Sequence, residues 1–187
     1  YHDSSATLVQ DGKIIAAAQE ERFTRIKFDS SYPINSINYC LNVANINIED
    51  VNEVVYFEKN HLKFDRILKT YFKYLPKSLN QFSKAINLWL NQKLHIEKDL
   101  AKHLNWKKKI KSFTHHESHA ASAFYPSPYE DAAILTLDGV GEWTCTSIAH
   151  GQKNKIKIIQ EINFPDSLGM IYSAFTEFSG FKVNEDE

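Results

Sequence analysis

A cluster of imidazoles, followed by a carboxylate at a glycine turn, is the part of this sequence that could do chemistry. Residues 114–120 read Thr-His-His-Glu-Ser-His-Ala, and the segment Asp-Gly-Val-Gly-Glu begins at Asp138, nineteen residues after His119. His115 and His119 are four residues apart, so on a helix their side chains share one face. Asp138 closes an apolar run that is typical of a strand, and it could supply a third ligand. These residues predict a divalent metal site.

The spacing of the two histidines resembles the zincin motif His-Glu-x-x-His, but the acidic residue stands elsewhere. Glu117 comes two residues after His115, which on an ideal helix turns it to the opposite face, so it does not fit the general base of a metalloprotease. Two imidazoles and one carboxylate suit iron(II), manganese or zinc, and the ligand set does not choose between them. The open alternative is that the histidines are surface helix residues and the glycines form a hairpin turn.

The two glycines after Asp138 predict a close approach to a phosphate group. Gly139 and Gly141 lack side chains, so the backbone can pass near a ligand, and such a turn at a strand end can present N–H groups to an anion. Two polar segments near the amino terminus carry a similar prediction. Residues 2–5 form a polar turn with N–H and hydroxyl donors, and residues 22–27 include three cations that could clamp a phosphate or carboxylate. A plain turn and a solvated loop remain the alternatives for these two segments.

The first half of the chain predicts a hairpin, a helix, a strand and a helical stretch. Asp11 and Gly12 separate two apolar runs, which is a strong hairpin signal. Pro33 opens a helix with apolar residues three or four apart, and residues 54–57 predict a buried strand within 50–58. Residues 61–104 contain aromatic and aliphatic residues at helical spacing, which indicates a helical insertion on a β-rich frame.

The second half predicts the elements that must position the imidazoles and Asp138. Residues 109–114 predict a strand, residues 115–123 a helix, and residues 132–137 a strand that is buried on both faces, because the run is apolar throughout. The remaining elements are a hairpin of residues 142–150 and 155–163 around a turn at 151–154, and a helix at 168–178 that ends at Gly180.

Composition narrows the class of partner. The 22 basic residues nearly balance the 23 acidic ones, so we expect neither nucleic acid nor a membrane surface as partner. Cys40 and Cys145 follow no disulfide or zinc spacing, which favours a cytoplasmic location. No apolar run reaches the length of a membrane span. The polar start without an initiator Met, and the end at Glu187 soon after a helix, predict a piece of a longer protein.

Several separate blocks of the sequence, in one order, resemble the O-carbamoyltransferase family of nodulation and antibiotic-tailoring enzymes. The similarity covers nearly the whole chain and is weakest in residues 61–104. The blocks are His2-Asp3-Ser4-Ser5-Ala6, Glu20-Glu21-Arg22-Phe23-Thr24-Arg25, the run from His115 to Ala123, Ser127-Pro128, Asp138-Gly139-Val140-Gly141-Glu142 and Ser167-Leu168-Gly169.

The resemblance implies a fold and an activity. It implies an α/β ribonuclease H-like fold of the actin-like ATPase type, with a mixed sheet, flanking helices and the insertion at 61–104. Residues 1–187 would be a partial amino-terminal domain, truncated at both ends. Family members transfer a carbamoyl group from carbamoyl phosphate, through an ATP-derived carbamoyl-adenylate, to a hydroxyl of a sugar or natural product. A second lobe and an adenylate-forming domain are expected beyond residue 187, so we expect this chain alone to be inactive.

The resemblance also implies roles for individual residues. The metal ligands would be His115, His119 and Asp138, with iron favoured over manganese or zinc, and ATP would come with magnesium as a co-substrate. The nucleotide or phosphate contacts would be Asp3, Ser4, Gly139, Val140 and Gly141. The catalytic residues near the carbamoyl group would be His2 and Lys27. Two alternatives stay open, namely a sugar-kinase-like or phosphatase-like member of the same superfold, and a non-catalytic scaffold.

Overall fold

The computed structural model describes residues 3–91 and 93–183, which fall into two units. Unit 1 comprises Tyr1–Val54 and His103–Lys108, and unit 2 comprises Val55–Lys102 and Lys109–Glu187. His2, one of the two predicted catalytic residues, lies outside the described residues. Each unit is described by itself below.

Unit 1 is a β-hairpin covered by a helix. Strands β1 (Ser5–Gln10) and β2 (Lys13–Gln19) pair antiparallel. Asp11 and Gly12 have φ angles of 50° and 77°, so both turn residues are left-handed and the predicted hairpin is confirmed. The short helix α1 (Glu21–Thr24) follows β2, and α2 (Ile34–Ala44) packs against both strands. The predicted helix after Pro33 is therefore confirmed.

The first part of unit 2 is helical. A short parallel pair joins β3 (Val55–Tyr56) to β4 (Lys111–Ser112). Between them lie three helices, α3 (Asn60–Lys73), α4 (Leu79–Asn91) and α5 (Ile96–His103). The helical character predicted for residues 61–104 is confirmed. Its status as an insertion in a family fold stays a prediction.

The second part of unit 2 is a three-stranded sheet with two helices. Helix α6 (His115–Phe124) is followed by β5 (Asp131–Leu137), β6 (Thr144–Gln152) and β7 (Lys155–Asn163), which pair antiparallel in the order β5-β6-β7. Helix α7 (Leu168–Phe178) ends the described chain, and Gly180 has a φ of 84°. A small core of Ala120, Phe124, Ile134 and Ala149 seals α6 onto one face of this sheet.

Several predicted strands differ from the observed ones. The strands expected in 50–58 and 109–114 each shrink to two paired residues, and Val55 and Phe57 are exposed. In β5 burial alternates, with Leu135 62% exposed. The prediction that this strand is buried on both faces is therefore wrong, because α6 covers one face and no described element covers Leu135. The turn predicted at 151–154 is shorter, since Gly151 and Gln152 belong to β6.

The α/β class is confirmed. The described strands form three separate small sheets, and the ribonuclease H-like arrangement stays a prediction. Cys40 and Cys145, which follow no disulfide spacing, are both free and buried. Among the described residues, no helix combines the length and apolar character needed to cross a membrane.

Candidate metal site

Helix α6 begins at His115 because the residues before and after it form a capping box. The Thr114 hydroxyl accepts a hydrogen bond from the N–H of Glu117 at 3.3 Å, and the Glu117 carboxylate accepts one from the N–H of Thr114 at 2.9 Å. Two N–H groups that a helix start leaves free are satisfied in this way. Glu117 is therefore a capping residue, which agrees with its rejection as a general base. The alanines that follow favour the helix.

A second carboxylate, from Glu142, also closes the amino terminus of α6. Both of its oxygens lie 3.0 Å from the N–H of His115, and one also accepts from the N–H of Lys59 at 2.7 Å. Glu142 is only 5% exposed, and Arg66 donates to its backbone carbonyl. The sequence assigned Glu142 no role. No local pattern could have done so, because its partners lie 27 and 83 residues away.

The three residues predicted as metal ligands come together in unit 2. His115 Nε2 lies 2.9 Å from Asp138 Oδ2 and 3.1 Å from His119 Nε2, and the three donor atoms all lie within 4.8 Å of one another. Two donors that are each about 2.1 Å from a shared ion would lie about 3.0–3.4 Å apart. The two separations from His115, 2.9 and 3.1 Å, lie close to that range, so these donor pairs have the spacing that a shared ion requires.

The three donors differ in exposure, since His115 and Asp138 are half-buried and His119 is exposed. Asp138 Oδ2 is buried and, despite its contact with His115, has no partner in hydrogen-bond geometry among the described residues. The imidazole of His115 beside it lowers the pKa of the Asp138 carboxyl, against the opposing effect of burial. Burial, and then the neighbouring His115, lower the pKa of His119. Metals bind ionised carboxylates and neutral imidazoles, and the lowered pKa values of Asp138 and His119 favour those forms.

The middle histidine of the cluster has a different role. His116 is 1% exposed and its Nδ1 lies 2.9 Å from the Ser147 hydroxyl on β6. Burial lowers its pKa, which favours the neutral ring. His116 therefore anchors α6 to the sheet and does not join the three converging donors.

The glycine turn is only partly explained by a phosphate. A Cβ on Gly141 would lie 3.2 Å from both His115 Cβ and His116 Cδ2, so Gly141 gives α6 room to pack. Its N–H donates to the Thr144 carbonyl, and the N–H of Gly139 donates to Asp138 Oδ1 at 2.7 Å. Both N–H groups expected to face phosphate therefore have internal partners. A Cβ on Gly139 would meet no atom within 4 Å, and Val140 between the two glycines is half-buried.

Helix α7 begins directly against this turn. The Ser167 hydroxyl lies 2.7 Å from the Gly139 carbonyl and 3.0 Å from that of Asp138, and it accepts from the N–H of Met170. A Cβ on Gly169 would lie only 2.4 Å from the Asp138 carbonyl carbon and oxygen. The segment Ser167-Leu168-Gly169 thus holds the backbone that carries Asp138. In the sequence it was notable only as one of the family blocks.

The other predicted site residues that the structure describes, Asp3, Ser4 and Lys27, lie in unit 1. The N–H of Ser4 donates to the Asp29 carbonyl at 2.8 Å, so the hydroxyl is the donor that an anion would use. Asp3 adopts a left-handed φ of 55°. Lys27 is exposed, with its Nζ 4.5 Å from the centroid of the Phe28 ring. The structure therefore groups Asp3, Ser4 and Lys27 with unit 1, and His115, His119 and Asp138 with unit 2.

Comparison with known proteins identifies the family of the chain. Residues 1–187 match the family model described as carbamoyltransferase N-terminus, and the chain belongs to that family.

Individual relatives match over the whole chain. This chain is 49% identical to the uncharacterized protein sll1178 of Synechocystis, in a match that covers 100% of the chain. It is 31% identical to the nodulation protein NolNO of Sinorhizobium fredii, in a match that covers 99% of the chain. It is also 31% identical to the uncharacterized protein MJ1051 of Methanocaldococcus jannaschii over 100%. These matches cover 32%, 26% and 30% of the relatives' own lengths, so the chain spans about a third of such proteins or less.

Proposed function

We propose that this chain is the amino-terminal part of a carbamoyltransferase. The enzyme would move a carbamoyl group from carbamoyl phosphate, through a carbamoyl-adenylate made with ATP and magnesium, to a hydroxyl of a sugar or natural product in the cytoplasm. Support comes from the family match over all 187 residues and from the similarity to a nodulation protein. Regions outside this chain would complete the enzyme, so we expect this chain alone not to catalyse carbamoyl transfer.

The convergence of His115, His119 and Asp138 is the observation that carries the mechanistic part of the proposal. Two neutral imidazoles would donate nitrogen lone pairs, and the Asp138 carboxylate would supply one negative charge. A bound divalent ion, with iron favoured over manganese or zinc, would supply Lewis-acid stabilisation of charge on a phosphate oxygen. The protein holds the donors in place through the caps of α6 and the contacts of Ser167.

Other residues would bind and orient the substrates. Lys27 has an exposed ammonium that would stabilise the charge on the phosphate leaving group, and His2 would lie near the carbamoyl carbon. Asp3, Ser4 and the turn from Gly139 to Gly141 would approach the nucleotide phosphates. A phosphate that takes the Gly139 N–H must replace Asp138 Oδ1 as its partner. The open space at Gly139 leaves room for this exchange.

Metal analysis tests the carrying observation. The purified chain would be loaded with iron(II), manganese or zinc, and its metal content measured after gel filtration. We expect about one ion per chain, and loss of it in His115→Ala plus His119→Ala. His150→Ala is the matched control, because this histidine pairs with Asp131 at the far end of β6. A double variant that keeps the metal would contradict the proposed site.

Turnover distinguishes the proposed reaction from its alternatives. Full-length protein should transfer the carbamoyl group of carbamoyl phosphate to a hydroxyl-bearing acceptor only when ATP is present, whereas this chain alone should not. Transfer of the γ-phosphoryl group of ATP to a sugar would instead favour a kinase-like enzyme. A full-length protein that binds neither metal nor ATP would favour the scaffold alternative.

A further inference from the structure

The imidazole of His115 has a second nitrogen that the donor cluster does not use. Its Nε2 faces Asp138 and His119, whereas its Nδ1 is buried and has no hydrogen-bond partner among the described residues. When Nε2 binds a metal, the neutral ring carries its proton on Nδ1. A buried N–H needs an acceptor, so a metal-bound His115 requires one on this side of the ring.

The carboxylate of Glu58 lies where an acceptor for His115 Nδ1–H is needed. Its Oε2 lies 4.0 Å from His115 Nδ1, about 1 Å beyond the length of a hydrogen bond. Glu58 is buried, and it is held by the Lys63 ammonium at 2.8 Å and by the Tyr56 hydroxyl at 3.4 Å. The ammonium of Lys63 offsets the cost of burying this charge. These contacts hold Glu58 beside the His115 ring, and a shift of about 1 Å would bring its Oε2 within hydrogen-bond distance of Nδ1.

The segment that carries Glu58 is also tied to α6. The Ser118 hydroxyl donates to the Phe57 carbonyl at 2.8 Å, and the rings of Phe57 and His115 lie 5.9 Å apart between centroids. These contacts keep residues 57 and 58 against the face of α6 that bears His115. A rotation of the His115 ring would therefore change its distance to Glu58, and a movement of Glu58 would change the room available to the ring.

We propose that Glu58 is a positioning residue for the metal site. It accepts a hydrogen bond from His115 Nδ1–H when Nε2 is a ligand, and thereby fixes both the tautomer and the orientation of the ring. Carboxylates that hold metal-bound histidines in this way raise the basicity of the ligand, and their loss costs about 10–100-fold in metal affinity. The inference rests on the proposed metal role of His115. Its competitor is a simple Glu58–Lys63 ion pair that only stabilises the fold.

Metal affinity separates these two roles. Zinc and cobalt(II) affinities would be measured by competition with a chelator, beside the cobalt(II) absorption spectrum and the unfolding temperature of the metal-free protein. We expect Glu58→Ala to weaken binding about 10–100-fold and to change the cobalt spectrum. Glu58→Gln keeps an acceptor oxygen and should recover part of the affinity. Lys63→Met breaks the ion pair but leaves the acceptor, so it should weaken binding less than Glu58→Ala does.

Asp131→Asn provides the matched control. It breaks another carboxylate–histidine pair, Asp131 with His150 at 3.0 Å, which does not involve the donor cluster. Its metal affinity should equal that of the wild type. If Glu58→Ala does not fold, Glu58→Met fills the site without an acceptor and replaces it in the comparison.

The outcomes distinguish the inference from the proposed function. A wild-type protein that binds no metal overturns both. A wild type that binds metal while Glu58→Ala binds equally well overturns only the role of Glu58, as do equal losses in Glu58→Ala and Lys63→Met. In zinc-loaded wild type, a slowly exchanging His115 Nδ1–H signal in ¹⁵N–¹H NMR would support the hydrogen bond directly. Its rapid exchange would contradict it.

Discussion

Two buried glutamates close the amino termini of two helices, one in each unit. In unit 1, Glu20 is 1% exposed, and each of its oxygens accepts two hydrogen bonds. One oxygen takes the backbone and side-chain N–H groups of Asn35, and the other takes the backbone N–H and hydroxyl of Ser36. This carboxylate at the start of α2 has a full set of donors, which marks it as structural.

In unit 2, Glu142 uses the same electrostatic principle at the start of α6, but its surroundings differ. Near it, His115 Nδ1 and His116 Nε2 are buried without hydrogen-bond partners among the described residues, and Asp138 Oδ2 has the 2.9 Å ion-pair contact with His115 Nε2. Buried polar atoms that lack partners cost free energy, and such atoms are grouped where the donor cluster lies. Glu20 is therefore a structural cap with all its donors paired, whereas Glu142 borders a candidate site in which buried polar atoms have no hydrogen-bond partner.

The largest expected effect comes from replacing each glutamate by glutamine. In the wild type the donors of Asn35 and Ser36 face a carboxylate, whereas in Glu20→Gln some of them would face an amide NH₂. We therefore expect a loss of about 3 kcal/mol in the free energy of unfolding. Glu142→Gln should cost about 2 kcal/mol and also weaken metal binding, because it loosens the start of α6. Denaturant unfolding and metal titration would measure both. Weaker metal binding in Glu20→Gln but not in Glu142→Gln would contradict the comparison.

The glycines near Asp138 give a matched pair with a smaller expected effect. Gly169→Ala places a Cβ against the Asp138 backbone, so we expect about 2 kcal/mol of destabilisation. Gly139→Ala meets open space and should stay within about 0.5 kcal/mol of the wild type. Thermal unfolding of both variants checks this. Equal stabilities would show that α7 can move away from the turn without cost.

The capping box of α6 should contribute less to the free energy of unfolding than the buried Glu142 carboxylate does. Thr114→Ala removes one hydroxyl acceptor and should cost about 1 kcal/mol, because Glu142 still satisfies the N–H of His115. Thr114→Ser retains the acceptor and is the control. Urea unfolding of both variants measures the difference, and a loss in Thr114→Ala larger than in Glu142→Gln would reverse the proposed ranking.

The smallest effect is a pH dependence at Glu20. Burial alone would raise its pKa, but the hydrogen bonds from Ser36 and Asn35 outweigh burial, so the folded-state pKa lies below the ordinary value of 4.5. Its contribution to stability is therefore full above pH 4.5 and is lost as the pH falls through the folded-state pKa. The stability difference between wild type and Glu20→Gln should shrink in that acidic range. A difference that instead shrinks above pH 4.5 would contradict the direction of the shift.

Local features of the sequence were predicted well. The hairpin at Asp11 and Gly12, the helix after Pro33 and the helix that begins at His115 are confirmed. Each depends on hydrogen bonds and steric preferences within a few consecutive residues. The proximity of His115 and His119 follows directly from the helical period. Asp138 was predicted as their neighbour because it stands at a strand end, although the metal role itself stays a prediction.

The sequence alone predicted the helices, the hairpins, the family resemblance and the three donors that converge, but not the length of two strands or the exposed face of β5. The folded structure was needed to show that Glu142 caps α6, that Gly169 packs on the Asp138 backbone, that Glu58 lies beside His115, and that Leu135 is exposed on β5. The cause is the separation of these residues along the sequence. The contacts join residues that are tens of positions apart, and they form where packed elements bring buried charges and backbones together. No spacing rule encodes such contacts.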